Sequence, residues 1–371
     1  MKQKSTGIID LLVGSCFATA RAVKRGGKLT LHDIWTNCGL CVKRAGESPL
    51  YPLKLSEKPR HYGRDLLLHL PAGMSEFDFY RRYDKLSWAW NAELEFEKVN
   101  GKLLIRIMDK PIPNVIPFEL SSIPGQLALP VPIGYSRAGM EWLDLATLHF
   151  LVTGVTRSGK SNLLHVINAA LIGKAVVKII DMKRLEFAYL KGFVEVAATE
   201  EAAEKMLVNL VKEMNRRLLI LEKAGVVKIQ DYHVAELRNM VDMPYIVCII
   251  DELAELENDR SAFLLNKLLR LSSASGISIV AATQRPSVDV IKGDSKGQLL
   301  ARISYQMASE IDSRVALGDN CNRAAYLPTI PGRAIFKYGK IREVQTMFLP
   351  VEEARQRLQT QQPLQVMGTT A

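Results

Sequence analysis

Residues 148–168 read LHFLVTGVTRSGKSNLLHVIN, and this stretch is the most informative part of the chain. Residues 154–161 follow the pattern glycine, four variable residues, glycine, lysine and serine, which is typical of a phosphate-binding P-loop. The apolar residues 149–152 precede the pattern as a buried strand would, and residues 162–171 follow it with the apolar periodicity of a helix. The strand and the helix together favour a true P-loop over a glycine- and serine-rich surface loop that contains a lysine.

The P-loop pattern predicts a site for nucleotide phosphates. Glycine lets the backbone curl closely around an anion, where a Cβ atom would clash, and the turn directs N–H groups and a helix N-terminus at the phosphate. We expect Lys160 to reach the β- and γ-phosphates and the Ser161 hydroxyl to ligate Mg²⁺. The residues expected to contact the nucleotide are Gly154, Val155, Thr156, Arg157, Ser158, Gly159, Lys160, Ser161 and Asn162.

A second apolar run ends in two adjacent carboxylates. Residues 245–250 read YIVCII, as a buried parallel strand would, and Asp251 and Glu252 follow them. Two charges at the end of a buried strand are costly unless they have a role, although a strand that simply exits into a polar loop gives the same pattern. We expect Asp251 to hold Mg²⁺ through its water shell and Glu252 to act as general base on the attacking water. The second acid favours an ATP-hydrolysing motor over P-loop kinases and small GTPases.

A third apolar run ends in a polar amide. Residues 276–282 read GISIVAA, and Thr283 and Gln284 follow them. A glutamine at the end of the strand next to the P-loop strand can sense the γ-phosphate or orient the attacking water. We therefore include Gln284 among the candidate catalytic residues with Lys160 and Glu252.

Residues 126–350 resemble the motor domain of the FtsK/SpoIIIE family of DNA translocases. Residues 283–291 (TQRPSVDVI), followed by Gly293, are the most specific match, and residues 181–186 (DMKRLE) with Tyr189 resemble the family's D-P-K-x-x-E-L segment, with Met182 in place of proline. The further matching segments are 132–134 (PIG), 149–152 (HFLV), 213–217 (EMNRR), 251–254 (DELA), 302–303 (RI), 312–314 (DSR) and 331–334 (PGRA).

The resemblance implies an α/β fold with a RecA-like P-loop ATPase core. Parallel strands near 149–153, 176–181, 245–250 and 277–282 would alternate with helices, and the nucleotide would lie at their carboxyl ends. ATP and Mg²⁺ are the implied cofactors. The implied assembly is a homo-hexameric ring with ATP between subunits and double-stranded DNA in the pore.

The chain departs from the family pattern at the candidate arginine finger. The family often has an Arg-Ala-Ala-Gly-Ile segment before the Thr-Gln strand end, whereas residues 273–277 here read SASGI. Arg270, one helical turn earlier, and Arg314 in the Asp-Ser-Arg segment are the two candidates to act in its place. Arg157 stands in the P-loop where glycine is usual.

The chain divides by composition and pattern into three parts. Residues 1–125 are expected to form a smaller N-terminal α+β accessory domain, residues 126–350 the motor, and residues 351–371 a polar, disordered tail. The accessory domain is basic at its start, where residues 1–64 hold 12 Lys and Arg against 4 Asp and Glu. This excess fits either a solvated face or a contact with DNA or anionic lipid. We expect a helix from Ser75 through Trp88 and a hairpin that turns at Asn100-Gly101.

Composition agrees with a polyanionic partner and an intracellular setting. The formal net charge is +10 and the sequence pI about 9.3. No apolar run reaches the roughly 18 residues of a membrane span, and residues 8–20, which come closest, fit an amphipathic helix. We therefore expect a cytoplasmic protein that meets a membrane only through partners. Five cysteines, an odd number, favour a reducing compartment. Two interpretations of Cys38 and Cys41 remain: two ligands of a zinc site or, as the default, two thiols on one helix.

These observations predict an ATP-driven, ring-forming translocase that pumps double-stranded DNA during DNA transfer or chromosome segregation. The absence of family-typical membrane spans and of a C-terminal DNA-reading module favours a DNA-transfer protein of a mobile element. Three other classes remain open. They are a conjugative coupling protein that moves single-stranded DNA with a relaxase and a membrane-bound transfer partner, a nucleotide-dependent DNA-binding scaffold, and a P-loop kinase.

Overall fold

The structure is a computed structural model that describes residues 29–120, 123–235, 243–256, 258–284, 286, 297–318 and 321–360. The chain forms two compact units, Met1–Pro111 and Ile112–Ala371. The expected helix at 8–20 and the basic residues before position 29 lie outside the described residues, as does the end of the tail from 361. Among the residues described, no helix has the length and apolar content needed to cross a membrane.

The first unit has an antiparallel sheet with helices on one face. Its elements are α1 (Leu31–Cys38), β1 (Leu53–Arg60), β2 (Gly63–His69), α2 (Glu76–Tyr80), α3 (Tyr83–Trp90), β3 (Glu93–Val99) and β4 (Lys102–Met108). The strand order is β1-β2-β4-β3. Alternate residues of β2, β3 and β4 turn inward against Trp35, Phe79 and Leu86 of the helices, which is the pattern of a half-buried sheet.

Two local predictions for this unit have different outcomes. The hairpin between β3 and β4 is confirmed, because Asn100 and Gly101 both take positive φ angles, 49° and 73°, at its turn. The single helix expected over residues 75–88 is wrong, because the chain forms α2 and α3 with a break at Arg81 and Arg82. The Arg82 guanidinium donates to the Cys38 carbonyl oxygen at 2.8 Å and to the Asp78 carbonyl oxygen at 3.1 Å, which holds this break against α1.

The two thiols of the CxxC segment do not share a helix. Helix α1 ends at Cys38 because Gly39 takes a left-handed conformation, φ 67°, so Cys41 lies beyond the helix. Burial raises the pKa of the Cys38 thiol. In the described ranges no group of three or more His, Cys, Asp or Glu side chains is placed to hold a metal ion.

The second unit is built around one large mixed sheet. Its strands are β5 (Pro130–Ser136), β6 (Gly139–Asp144), β7 (Phe150–Thr153), β8 (Val176–Ile180), β9 (Glu195–Ala197), β10 (Ile246–Ile250), β11 (Ile277–Thr283), β12 (Ala301–Tyr305), β13 (Arg333–Tyr338) and β14 (Lys340–Thr346). Its helices are α4 (Lys160–Leu171), α5 (Glu200–Ala224), α6 (Ile229–Ala235), α7 (Asp259–Leu271), α8 (Glu310–Leu317) and α9 (Val351–Thr360).

The strand order is β6-β5-β14-β13-β12-β7-β11-β10-β8-β9. From β12 to β9 neighbouring strands run parallel, whereas β13, β14, β5 and β6 pair antiparallel. The four parallel strands expected from the sequence are therefore confirmed. The antiparallel strands β13, β14, β5 and β6 extend this sheet beyond β12.

Burial on both faces explains the continuous apolar runs of the parallel strands. In β10, Val247 and Ile249 pack in one hydrophobic cluster with α4, while Cys248 and Ile250 pack in the other with α5 and α7. A strand covered by helices on both sides has no face for polar residues. The sequence pattern of a buried parallel strand follows directly from this arrangement.

Residues 112–118 group with the second unit, so the two compact units divide earlier than the expected boundary at residue 125. Phe118 N–H donates to the Phe348 carbonyl oxygen at 3.0 Å, and Phe348 N–H donates to the Ile116 carbonyl oxygen at 2.7 Å. The buried Arg333 side chain also donates to the Asn114 side-chain oxygen at 3.1 Å. These bonds fix the start of the unit against its last strand.

The tail expected to be disordered from residue 351 begins as helix α9, which corrects that prediction. Ala354 and Leu358 are buried, and Ala354 packs in one cluster with Phe118, Val166 and Leu349. The Arg357 guanidinium lies 4.8 Å from the centre of the Phe118 ring. The polar composition misled the prediction because the few apolar residues of α9 share the face that packs on α4.

A buried ion pair ties helix α5 to the start of β11. The Arg217 side chain is 0% exposed, donates from Nε to Glu213 Oε1 at 2.7 Å, and donates from Nη1 to the Ser275 carbonyl oxygen at 3.0 Å. Removing one partner of a buried pair leaves a buried charge that nothing balances.

We predict that Glu213→Ala lowers the free energy of unfolding by about 3 kcal/mol, because Arg217 stays buried without its carboxylate. Glu213→Ala combined with Arg217→Met should recover part of this loss in urea unfolding. Glu222→Ala, on an exposed position of the same helix, is the matched control and should change little. Equal losses in the Glu213 and Glu222 variants would contradict the role of the pair.

His149 precedes β7 and is buried, and within the described part of the chain no charged side chain pairs with it. Its Nδ1 accepts the Ile279 N–H at 3.0 Å, so Nε2 carries the hydrogen that faces Ser273 Oγ, also at 3.0 Å. Burial lowers the pKa of His149 to about 4. Protonation of Nδ1 would break the bond to β11.

We predict that stability falls as the pH decreases from 6.5 to 4. In this window the unfolded chain takes up a proton at His149 that the folded state excludes, so stability is complete above pH 6.5 and about 3 kcal/mol is lost by pH 4. His149→Asn keeps an acceptor for the Ile279 N–H and should show a shallower pH dependence in urea unfolding. Identical pH slopes for both proteins would refute the assignment.

Candidate nucleotide-binding site

The P-loop joins β7 to α4 at the carboxyl edge of the parallel strands. β7 lies between β11 and β12 in the sheet, and α4 begins at Lys160 directly after the loop. In open α/β sheets this edge is where ligands bind, because loops at the ends of neighbouring strands converge there. The strand–loop–helix context expected from the sequence is therefore present.

The loop conformation explains its two glycines. Gly154 has φ 150°, and a Cβ atom there would lie 2.6 Å from the Tyr305 Cβ. Gly159 has φ 119°, and a Cβ atom there would lie 3.0 Å from the Gly332 nitrogen. Arg157 also takes a left-handed conformation, φ 62°, which costs a non-glycine residue about 1 kcal/mol. This conformation accounts for the preference for glycine at that position.

Lys160 is folded back onto its own loop. Its Nζ donates to the Gly154 carbonyl oxygen at 2.7 Å and to the Val155 carbonyl oxygen at 2.9 Å, and the residue is 8% exposed. Burial lowers the pKa of Lys160 to about 8, although Glu252 and Asp251 oppose the shift. A phosphate that binds in the loop would replace the two carbonyl oxygens as the partner of this ammonium group.

Asp251 stands among other carboxylates at the end of β10. Burial, with Asp181 and Glu186 as the next causes, raises the pKa of Asp251 to about 6. A divalent cation would relieve this repulsion, and the hydroxyl of Ser161 with the carboxylate of Asp251 offers the hard oxygen donors that Mg²⁺ prefers. The residues present thus fit a magnesium ion that is shared with nucleotide phosphates.

Three motifs meet through two hydrogen-bonded contacts. The Gln284 N–H lies 3.1 Å and 3.2 Å from the two Glu252 carboxylate oxygens that accept it, and the Gln284 side-chain oxygen accepts from Thr156 Oγ1 at 2.7 Å. Glu252 is 8% exposed. The structure therefore brings the P-loop, the acidic strand end and the Thr-Gln strand end together, as their order in the sequence predicts.

The Asn162 side chain bonds to a segment that is remote in the sequence. Its side-chain nitrogen donates to the Leu349 carbonyl oxygen at 2.7 Å, and its side-chain oxygen accepts the Leu349 N–H at 3.3 Å. These bonds tie the Asn162 side chain to the segment that follows β14, and its contact with the nucleotide stays a prediction. Its polar character was visible in the sequence, but the distant partner was not.

The candidate arginine fingers lie away from the P-loop contacts. Arg314 pairs with Glu310 at 2.6 Å, and Arg270 is exposed in the last turn of α7. In the described part of the chain, neither side chain is hydrogen-bonded to the P-loop.

Two basic segments that follow the Thr-Gln strand end, residues 292–296 and the residues near Arg302, are candidates for DNA contact from the sequence, although a solvated loop fits them equally well. Arg302 itself is 9% exposed and donates to the Leu299 carbonyl oxygen at 2.7 Å, which corrects the expectation for this side chain. The basic segment 292–296 lies outside the described residues.

The loop at residues 331–332 lies against the P-loop, and the sequence motifs predicted no role for it. Gly332 N–H donates to the Ser158 carbonyl oxygen at 2.9 Å, and Gln345 Nε2 donates to the Pro331 carbonyl oxygen at 2.8 Å. A Cβ atom at Gly332 would lie 2.5 Å from Gln345 Nε2. The Pro-Gly-Arg-Ala segment was a signal for this support, since its glycine allows the close approach.

Comparison with known proteins identifies a family for the central part of the chain. Residues 117–288 match the FtsK/SpoIIIE family. A DNA translocase FtsK of Campylobacter jejuni is 36% identical over 205 residues, which cover 51% of this chain and 22% of that protein. A DNA translocase FtsK of Rickettsia prowazekii is 32% identical over 237 residues, which cover 52% of this chain and 32% of that protein. The chain therefore matches about a fifth to a third of the length of these relatives.

Solved structures extend the likeness beyond the central part. The structure of the pCW3 conjugation coupling protein TcpA, in its monomer form with ATPgS, superposes with a TM-score of 0.63 at 26% identity, over 84% of this chain and 93% of TcpA. The cytoplasmic domain of the type VII secretion ATPase EccC of Thermomonospora curvata superposes with a TM-score of 0.56 at 24% identity, over 68% of this chain. The second likeness shows the fold alone. With the site geometry above, these matches show that the chain is a P-loop ATPase whose residues 117–288 are a domain of the FtsK/SpoIIIE family.

Proposed function

We propose that this chain is an ATP-driven translocase that forms a ring of identical subunits, a hexamer by family resemblance, and moves double-stranded DNA. The observation that carries the proposal is the contact of Glu252 and Thr156 with Gln284, because it joins a hydrolytic acid to a γ-phosphate sensor. Relatives at 32–36% identity are named DNA translocases, and the net charge of +10 suits a polyanionic partner.

Each residue of the site has a distinct part in hydrolysis. The P-loop N–H groups and Lys160 hold the phosphates, and Ser161 and Asp251 would hold Mg²⁺. When bound, the cation neutralises charge on the β- and γ-phosphates. Glu252 takes a proton from a water molecule while the oxygen of that water attacks the γ-phosphorus. The bond between the γ-phosphorus and the β,γ-bridging oxygen then breaks, and ADP leaves. Gln284 reports the state of the γ-phosphate to Thr156 and to the end of β11.

The proposed ring would supply an arginine finger that the site does not contain in its own subunit's described contacts. Phosphoryl-transfer enzymes use an arginine finger, supplied in cis or by a neighbour, to stabilise the charge of the transition state. Arg270 and Arg314 are both exposed, and Arg314 pairs with Glu310 on α8. We expect one of these two side chains to reach the nucleotide of an adjacent subunit, which would make hydrolysis depend on assembly.

A coupling function in conjugation is the second candidate. The likeness to the coupling protein TcpA over 93% of its length favours this role over a function in chromosome segregation. Such a protein would meet a relaxase and a membrane-bound transfer partner and could act on single-stranded DNA. A nucleotide-dependent scaffold is disfavoured because Lys160, Asp251 and Glu252 are all in place, and a scaffold has no use for the general base.

We predict that long duplex DNA stimulates ATP hydrolysis by the purified full chain more than single-stranded DNA does. Lys160→Ala should abolish nucleotide binding, while Glu252→Gln should keep binding and lose about 100-fold or more in kcat. Glu195→Gln, which changes an exposed glutamate paired with Lys178, is the matched control and should retain the wild-type rate. Stimulation mainly by single-stranded DNA would favour the coupling function. An equal rate of hydrolysis with and without DNA would refute both the translocase and the coupling proposals.

We also predict that affinity for ATP falls as the pH rises above 8. The depressed pKa of Lys160, about 8, means that free protein loses this ammonium charge above that pH, and the attraction to phosphate is lost with it. The limiting slope is about tenfold in Kd per pH unit. Titration of a fluorescent ATP analogue between pH 7 and 9.5 measures the slope. Lys160→Met should bind weakly at every pH, and an equal pH slope in that variant would exclude Lys160 as its source.

A further inference from the structure

Glu186 lies in the loop after β8, and Asp181 shapes this loop. The buried Asp181 carboxylate accepts the Arg184 N–H through Oδ1 and the Phe187 N–H through Oδ2, each at 3.0 Å. Phe187 is fully buried beside Glu186. The backbone around Glu186 is therefore anchored from both sides, so the position of its carboxylate is set by the fold.

A chain of hydrogen bonds leads from the protein interior to Glu186. His165, on α4 and 1% exposed, places Nε2 at 3.0 Å from Glu186 Oε1 and Nδ1 at 2.9 Å from the Tyr189 hydroxyl. An ionised carboxylate only accepts, so Nε2 carries the hydrogen, and Nδ1 accepts from the Tyr189 hydroxyl. The order Tyr189 to His165 to Glu186 then satisfies every donor with one tautomer.

The other side of Glu186 faces the nucleotide site. The hydrogen bond from His165 is the main cause that lowers the pKa of Glu186, and the Ser161 side chain lies close enough to lower it further. Glu186 is close enough to Asp251 to be among the charges that raise the pKa of that carboxyl. Ser161 and His165 are four residues apart on α4 and therefore share one face of the helix. Glu186 thus lies beside both residues proposed to hold Mg²⁺.

A hydroxyl that ligates a cation must send its hydrogen elsewhere. The oxygen offers a lone pair to the metal, and a negatively charged acceptor for the hydrogen fixes the direction of that lone pair. We propose that Glu186 is a positioning residue for Mg²⁺, that it holds the Ser161 hydroxyl in the orientation for ligation, and that His165 and Tyr189 hold Glu186 in place. This inference rests on the roles of Ser161 and Asp251 proposed above.

The test separates nucleotide affinity from cation affinity. Binding of a fluorescent ADP analogue to the full chain is measured in EDTA and over a series of Mg²⁺ concentrations, and binding of Mn²⁺ in the presence of ADP is measured by electron paramagnetic resonance. Glu186→Ala should keep the Kd for ADP in EDTA within about twofold of wild type and raise the Mn²⁺ Kd and the half-saturating Mg²⁺ concentration about tenfold. Tyr189→Phe should have a smaller effect in the same direction and none when added to Glu186→Ala.

Matched variants keep the result interpretable. Glu195→Ala removes an exposed glutamate of the same unit and should leave the cation affinity unchanged. Glu186→Gln retains the side-chain volume and a carbonyl acceptor, so it should fold even if Glu186→Ala fails to fold. It should show part of the loss in Mn²⁺ affinity. An unchanged Mn²⁺ Kd in Glu186→Gln, or equal losses of ADP affinity with and without cation, would overturn the proposal. These readouts need no hydrolysis or DNA, so a failure of the translocase proposal would appear separately.

Discussion

The burial of the parallel strands on both faces is the constraint on which the rest of the structure depends. Because β7, β10 and β11 are covered by helices on each side, they are mostly apolar along their length, and the polar residues of the site follow where the strands end. Neighbouring parallel strands in register have their carboxyl ends at the same edge of the sheet. The sheet topology alone therefore brings the P-loop, Asp251 and Gln284 close together. The site is therefore a consequence of sheet topology, with the antiparallel strands closing the other flank.

The convergence collects charge in a poorly solvated place. Lys160 is held by two carbonyl oxygens and Glu252 by the Gln284 N–H, so each charged group has a partner before any nucleotide arrives. Asp251 is the exception, since burial and neighbouring carboxylates raise the pKa of its carboxyl to about 6. A site in which the anionic groups repel one another while the cation is weakly solvated favours a ligand that carries both phosphate and a divalent metal. The electrostatic imbalance is thus part of the binding function.

The sequence was sufficient to predict the structure wherever a rule about neighbouring residues applies. Glycine spacing, apolar runs and the order of motifs predicted the P-loop and the four parallel strands, with the site at their carboxyl ends, because each depends on residues close in sequence or on one topological rule. It failed where the partner is remote. The Asn162 side chain bonds to Leu349, Arg302 turns inward, and α9 forms from a segment whose composition looked disordered. These outcomes depend on packing between distant segments, which no local pattern encodes.

The remote contacts of Asn162 also limit how the P-loop helix can move. Ser161 and Asn162 are adjacent at the start of α4, and Asn162 makes two hydrogen bonds to the backbone of Leu349. The neighbouring Phe348 pairs with residues 116–118 at the start of the second unit, and Phe118 packs with Val166 of α4. A shift of α4 relative to the sheet must therefore break these bonds or carry the Leu349 and Phe118 segments with it. A rearrangement at Ser161, the proposed Mg²⁺ ligand, would in this way reach the Leu349 and Phe118 segments through contacts that are already formed.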